Sequence, residues 1–381
     1  MDPSEFYFPD TYLEARDWFR EQLTRIRRFW PSSELKSHAI TDDPTLTIDW
    51  IDAPCPTPEG HVLILSTGLH GTEGFTGTAV LHHLLETYLE KFDHVRTGLL
   101  LIHAVNPWGM QHRRRTNAHN VDLNRNFRFE SDLPTIFENP GYRSLRELLH
   151  SEQPIRNLRL ATIRFVAGLI SKIISNGIAQ IREATLLGQL EDPLGLYFGG
   201  MEYQEESRVI WDLVTGHIAA YKQVVHLDIH TGYGARYEMN LVNSVREVTP
   251  PDYWVKRLNY PHVVRADPDA FYSMQGDMID AFYAWTSQTV PQHRYFGTAF
   301  EFGTMGDSLL AQMRSLWAMV FENRATHHQV TSAMIDQAVR AEFRKLFDPQ
   351  SSEWRQAAIL SSDQALRGIL KEFKFIPSKS V

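Results

Sequence analysis

The stretch HVLILSTGLHGTEGFTG, residues 61–77, decides how the chain folds. Its first half is an apolar run that reads as a strand and stops at Gly68. From Gly74 to Phe92 the apolar residues Val80, Leu81, Leu84, Leu85, Tyr88 and Leu89 recur at helical spacing. GLLLIHAVNP (98–107) then reads as a buried parallel strand. Strand, helix and strand in that order make a crossover unit. The turn that opens its helix carries His70 and Glu73 three residues apart, at the end of a strand where α/β folds build their sites.

Outward from this unit, an N-terminal helix is expected from the spacing of Leu13, Trp18, Phe19, Leu23 and Ile26, and PTLTIDWIDAP (44–54) alternates like a strand. Residues from about 140 to 222 are mainly helical by pattern, broken at EDPLGLYFGGMEY (191–203). YKQVVHLDIHTGYG (221–234) returns to strand, YPHVVRAD (260–267) reads as another, and RYFGTAFEFGT (294–304) is a further strand ending on glycine. From Leu309 onward the pattern is helical. Without repeats, low-complexity tracts or a clear linker, the chain reads as one mixed α/β domain over residues 1–381, with a helical insertion at about 140–222.

The bulk chemistry narrows the function. Of 381 residues, 46 are Asp or Glu and 38 Lys or Arg, a net charge of −8, so there is no broad basic footprint for nucleic acid or an anionic membrane. The single cysteine excludes an intrachain disulfide and a thiolate zinc cluster, and leaves His, Asp and Glu as metal ligands. The N-terminus does not read as a secretory signal. The most membrane-like stretch, LATIRFVAGLISKIISNGIAQI (160–181), is interrupted by Arg164, Lys172 and Asn176 and reads as an amphipathic helix packed on a core. A cytoplasmic protein is expected, with no nucleic-acid or membrane partner; homo-oligomerisation is left open.

Where strands end, charged and imidazole groups gather: His70 and Glu73, His230, Glu301, and RRRTNAHNVDLNRNF (113–127). Two histidines and a carboxylate are a common set for a catalytic zinc, which lowers the pKa of a bound water to about 7. A carboxylate that is not a ligand must then move the proton, and Glu301 is available. An arginine can face the developing oxyanion without titrating.

HGTEG (70–74), NVDLNRNF (120–127), LDIHTG (227–232) and AFEFGT (299–304), in that order, resemble the zinc carboxypeptidases of the carboxypeptidase A type and the related succinylglutamate desuccinylase and aspartoacylase branch. Within that group the chain is most similar to a bacterial branch with the same HG-x-EG opening. The resemblance spans roughly residues 60–310. It implies an α/β fold with a mixed, mostly eight-stranded sheet and helices on both faces. It implies one Zn2+ per chain held by His70, Glu73 and His230, with Glu301 as general base and then general acid. Arg115 matches the arginine that polarises the scissile carbonyl, with Arg114 as fallback. Asn124 and Arg125 match the pair that holds the substrate's free carboxylate, Asp122 a carboxylate that orients His70, and Tyr272 a mobile substrate-binding tyrosine. The implied substrate is a small peptide losing its C-terminal residue, or alternatively an N-acyl amino acid losing its acyl group. The interval from Arg125 to His230 is longer than is usual in the family, so the helical insertion is additional and bears on substrate size.

Other readings of the same residues are weaker. His226, Asp228 and His230 alternate on one strand face, and His-x-Asp with a distant His could form an iron facial triad. That reading leaves His70, Glu73 and Glu301 without a role. GDSL (306–309) resembles a serine hydrolase signature, but Asp307 and Ser308 are more simply residues that satisfy the free amides of a helix start. The pairs His82/His83 and His327/His328 are expected on solvated helix faces. A carboxypeptidase-like fold that only binds metal or peptide would lack the base or the arginine, and both candidates are present.

Overall fold

The computed structural model describes residues 8–57, 60–129, 138–266 and 275–377. Its strands are β1 (Glu34–Ala39), β2 (Thr47–Ala53), β3 (His61–Thr67), β4 (Thr97–His103), β5 (Gln223–Gly232), β6 (Met239–Asn243), β7 (Val263–Arg265) and β8 (Arg294–Gly303). They form an eight-stranded sheet in the order β1-β2-β4-β3-β5-β8-β6-β7. β4, β3, β5 and β8 run parallel at its centre. β2 and β6 flank them antiparallel.

The helices are α1 (Tyr12–Ile26), α2 (Gly74–Tyr88), α3 (Pro107–Gln111), α4 (Pro140–Leu149), α5 (Leu158–Asn176), α6 (Ile178–Leu186), α7 (Glu205–Ala220), α8 (Pro251–Leu258), α9 (Met278–Thr289), α10 (Leu309–His327), α11 (Ala333–Phe347) and α12 (Ser352–Glu372). The period of two along each strand sorts side chains between the two faces. On β3, Leu63 and Leu65 join the cluster under α2, α8 and α12. Val62 and Ile64 join the opposite cluster, under α7 and α9. All four are fully buried, and each contributes about 1.5–3 kcal/mol by leaving water. The sheet therefore has helices on both faces, as the motifs imply.

The central strands lose their hydrophobic alternation on one face only. On β5 the odd positions Val225, Leu227 and Ile229 stay in the core, while the even positions His226, Asp228 and His230 are polar yet buried. Glu301 and Tyr295 lie on the same face of β8. After β3 the chain crosses to β4 on one side, whereas β5 pairs with its other edge. The break between β3 and β5 is thus a topological switch point, where open α/β sheets bind ligands beyond the strand ends.

Several details depart from the sequence reading. β1, β6, α8 and α9 carry no strong pattern and go unforeseen. The 160–181 stretch is two helices rather than one, because Gly177 takes φ +81° between α5 and α6. Within the helical stretch, α4, α5 and α6 pack on α10 and α11 in a third cluster built on Tyr142, Phe165, Leu169, Phe321 and Phe343. Helix α7 instead covers the sheet through Ile210, Val214 and Ile218. The paired histidines are not on freely solvated faces. His82 stacks on Trp18, His83 meets Asp363 at 3.0 Å, and His328 Nε2 lies 2.7 Å from His150 Nε2. His327 Nε2 is 3.4 Å from an Arg114 nitrogen. Ser308 caps α10 through its hydroxyl, which accepts from Ala311 N–H.

Candidate metal centre

His70 leaves β3 by way of Gly68, whose φ of +69° suits a glycine, and enters a short 3₁₀ turn over Gly71–Glu73. That turn is pinned by a second loop. Gly71 N–H donates to Arg115 O at 3.3 Å and Thr72 N–H to Arg114 O at 2.8 Å. A side chain at Gly71 would fall on the Gly109–Met110 backbone, so the close approach requires glycine.

Three buried side chains converge here. His70 Nδ1 is 3.2 Å from His230 Nδ1 and 3.0 Å from Glu73 Oε1, and His230 Nδ1 is 3.2 Å from Glu73 Oε2. One ligand atom from each of His70, Glu73 and His230 lies within 4.8 Å of the others, the only such cluster among the described residues. Two imidazole nitrogens and a carboxylate aimed at one point are a donor set with nothing apolar to satisfy it. A borderline cation such as zinc matches that chemistry.

The outward-facing atoms of the same residues are also held. His70 Nε2 lies 3.2 Å from Asp122 Oδ1 and 2.7 Å from Arg115 Nη2. His230 Nε2 lies 2.5 Å from Asp228 Oδ2. Carboxylates behind ligating imidazoles fix ring orientation and raise basicity. Burial would raise the Glu73 pKa, but His70, His230 and Arg115 more than reverse this and hold its carboxyl below the ordinary range.

Glu301 sits opposite His230 in the β5–β8 register and is buried. Its Oε1 accepts the Tyr233 backbone N–H at 3.0 Å. Burial and the charge of Glu73 push its pKa up to about 7, against the pull of His230. A carboxyl so placed can take and return protons near neutral pH.

The remaining candidates are placed less uniformly. Arg115 joins the centre, donating to Glu73 at 3.1 Å and Asp122 at 3.1 Å. Arg114 points elsewhere, to Glu322 and Asn120, so the fallback is not at the centre. Asp122 stands behind His70 and also caps its own turn through Asn124 N–H. Asn124 lines the cavity, with its amide donating to Asp277 at 2.9 Å and accepting from Met278 N–H. Arg125 lines it too, but gives Nε and Nη2 to Leu186 O and Nη1 to Asn124 O. Tyr272 lies outside the described residues.

A cavity of about 550 Å³ opens from His70, His230 and Glu301. Part of its wall comes from α5, α6 and α10, including Leu169, Ile181, Met313 and Leu316. Sequence reasoning missed Asp228 as the partner of His230, although its place two residues earlier on the same strand face was visible. It also missed Arg182, whose Nη1 donates to Tyr233 OH at 3.1 Å, and no local signal marked it.

The family model described as "Protein of unknown function (DUF2817)" matches residues 8–361. No curated protein sequence matches significantly. Among solved structures, thrombin activatable fibrinolysis inhibitor is similar with a TM-score of 0.50 at 11% identity, covering 97% of this chain and 76% of its own. Carboxypeptidase A from Helicoverpa armigera gives 0.47 at 14%, covering 93% and 74%. A protein assigned to the succinylglutamate desuccinylase/aspartoacylase family, from Shewanella amazonensis SB2B, gives 0.38 at 16%, covering 77% and 72%. At such identities the likeness is one of fold alone.

Proposed function

The chain belongs to the DUF2817 family, and we propose that it is a zinc-dependent hydrolase that cleaves an amide bond next to a free carboxylate. The observation that carries this reading is the buried convergence of His70, Glu73 and His230, with a carboxyl of raised pKa, Glu301, on the adjoining strand. His70 Nδ1, Glu73 and His230 Nδ1 would hold the ion, which when bound supplies Lewis acidity and activates water.

The chain's own residues would do the rest. Glu301 takes a proton from the attacking water and delivers it to the leaving amine, while Tyr233 N–H fixes which carboxylate oxygen remains free. Arg115 presents a guanidinium at the rim of the centre, where charge grows on the carbonyl oxygen. Asp122 and Asp228 hold the two imidazoles from behind. Arg125 has two of its five N–H groups not engaged by Leu186 O and Asn124 O, enough to meet a carboxylate end-on.

We favour a metallocarboxypeptidase-type peptidase acting on a small peptide. An N-acyl amino acid deacylase uses the same groups, and the insertion wall of the cavity favours a short substrate for either. The test is Glu301→Gln assayed on short peptides and N-acyl amino acids. Hydrolysis should fall by about 10²–10⁴-fold with bound metal unchanged. Wild-type hydrolysis that survives intact in Glu301→Gln would overturn the assignment of the base.

A further inference from the structure

Behind the candidate metal centre lies a chain of buried polar side chains that the proposed reaction does not use. Tyr295 OH is 3.0 Å from His226 Nδ1, His226 Nε2 is 2.9 Å from Ser66 Oγ, and Ser66 Oγ–H donates to Asp228 Oδ1 at 2.6 Å. Asp228 Oδ2 then meets His230 Nε2 at 2.5 Å. Ser66, His226 and Asp228 are fully shielded from water.

The directions of these bonds follow from elementary valence. A carboxylate only accepts, so Ser66 must spend its one proton on Asp228 and can only accept from His226. His226 is therefore the Nε2–H tautomer, and its bare Nδ1 accepts from Tyr295 OH. Burial lowers the His226 pKa to about 4, which keeps the ring neutral and leaves it one proton to give. Asp228, with its first oxygen fixed by Ser66, accepts His230 Nε2–H at the second. Every proton in the chain points toward Asp228, so His230 keeps its proton on Nε2 and Nδ1 is the nitrogen on the side facing His70 and Glu73. His70 lacks such a constraint, because its Nε2 lies between the acceptor Asp122 and the donor Arg115.

We propose that Tyr295, His226 and Ser66 are positioning residues that act through Asp228 to lock the tautomer and ring orientation of His230, presenting Nδ1 to the metal. The inference rests on the metal-site reading above. It explains why β5 carries three polar residues on one face and why β3 places Ser66 opposite Asp228 in register.

The test has two parts. In wild-type protein, nitrogen NMR shifts of the imidazoles should show a protonated Nε2 at both His226 and His230, with a bare Nδ1 at His226; a bare Nε2 at either would overturn the lock. Zinc affinity is then measured by chelator competition, with cobalt(II) absorption spectra as a reporter of ligand geometry. Ser66→Ala and His226→Phe, checked for folding by circular dichroism, should bind zinc about 10–100-fold more weakly, with an altered cobalt spectrum. His226→Gln, which keeps a donor and an acceptor, should stay within about threefold of wild type. Folded variants with unchanged affinity and spectrum would overturn the proposal. A wild type that binds no metal would instead overturn the site reading itself.

Discussion

Glu301 carries a conflict that can be measured. It is buried beside Glu73, and its pKa is raised to about 7 from an ordinary carboxyl value near 4.5. A carboxyl with a raised folded-state pKa binds more protons folded than unfolded, so its contribution to stability is present below about 4.5 and lost as pH rises through about 7. Metal-free Glu301→Gln should therefore melt higher than metal-free wild type at pH 8, and the difference should shrink steadily as the pH is lowered toward about 4.5. A pH-independent difference would mean that the cost of Glu301 is not its ionisation. At this scale much was legible. His70, Glu73, His230 and Glu301 stand in motifs, and Asp228 shares a strand face with His230. Ser66 was not legible, because its partner lies across a pairing register fixed by a strand far along the chain. Nor was Tyr233, which acts through a backbone N–H that no side-chain pattern reveals. Arg125 read as free for substrate, but its neighbour Leu186 ends α6, whose docking spacing cannot give.

The elements around the site differ in how tightly they are held. The turn at Gly71 packs backbone against the Gly109–Met110 backbone of α3, with no flexible side chain to yield. Gly216, inside α7, has nothing within 4 Å of an added Cβ. Gly71→Ala should destabilise by about 1–3 kcal/mol through overpacking and weaken metal binding, since the turn carries His70 and Glu73. Gly216→Ala should stabilise by roughly 0.4–1 kcal/mol through helix propensity and the unfolded chain. Chemical denaturation of both variants decides this, and equal effects would show that backbone approach at Gly71 is not tight. Long periodic elements such as α2, β3 and β5 were readable because their burial pattern is local. β1 and α8 were not, since β1 is an exposed edge strand and α8 buries only Trp254 and Leu258. The break at Gly177 was hidden because apolar spacing continues across it.

At the scale of the whole molecule, the eight-stranded sheet brings β3, β5 and β8 together at a switch point, and a layer of helices including α5 and α6 lines the space above them. α5 and α6 reach the site through Leu169, Ile181 and Arg182, and Arg182 touches the same Tyr233 whose N–H holds Glu301. The layer is thus both a wall of the cavity and a support for the proposed base. The sequence showed that the layer exists and is helical. Its contact with the centre depends on tertiary packing against α10 and α11, which periodicity does not encode.

The proposed chemistry depends on a metal ion held by His70, Glu73 and His230. Its most direct test is metal content by mass spectrometry on protein purified without chelators, comparing wild type with the His70→Ala, Glu73→Ala double variant. One zinc per chain in the wild type and none in the variant is the predicted result. Equal metal in both, or none in either after zinc is supplied, would contradict the account.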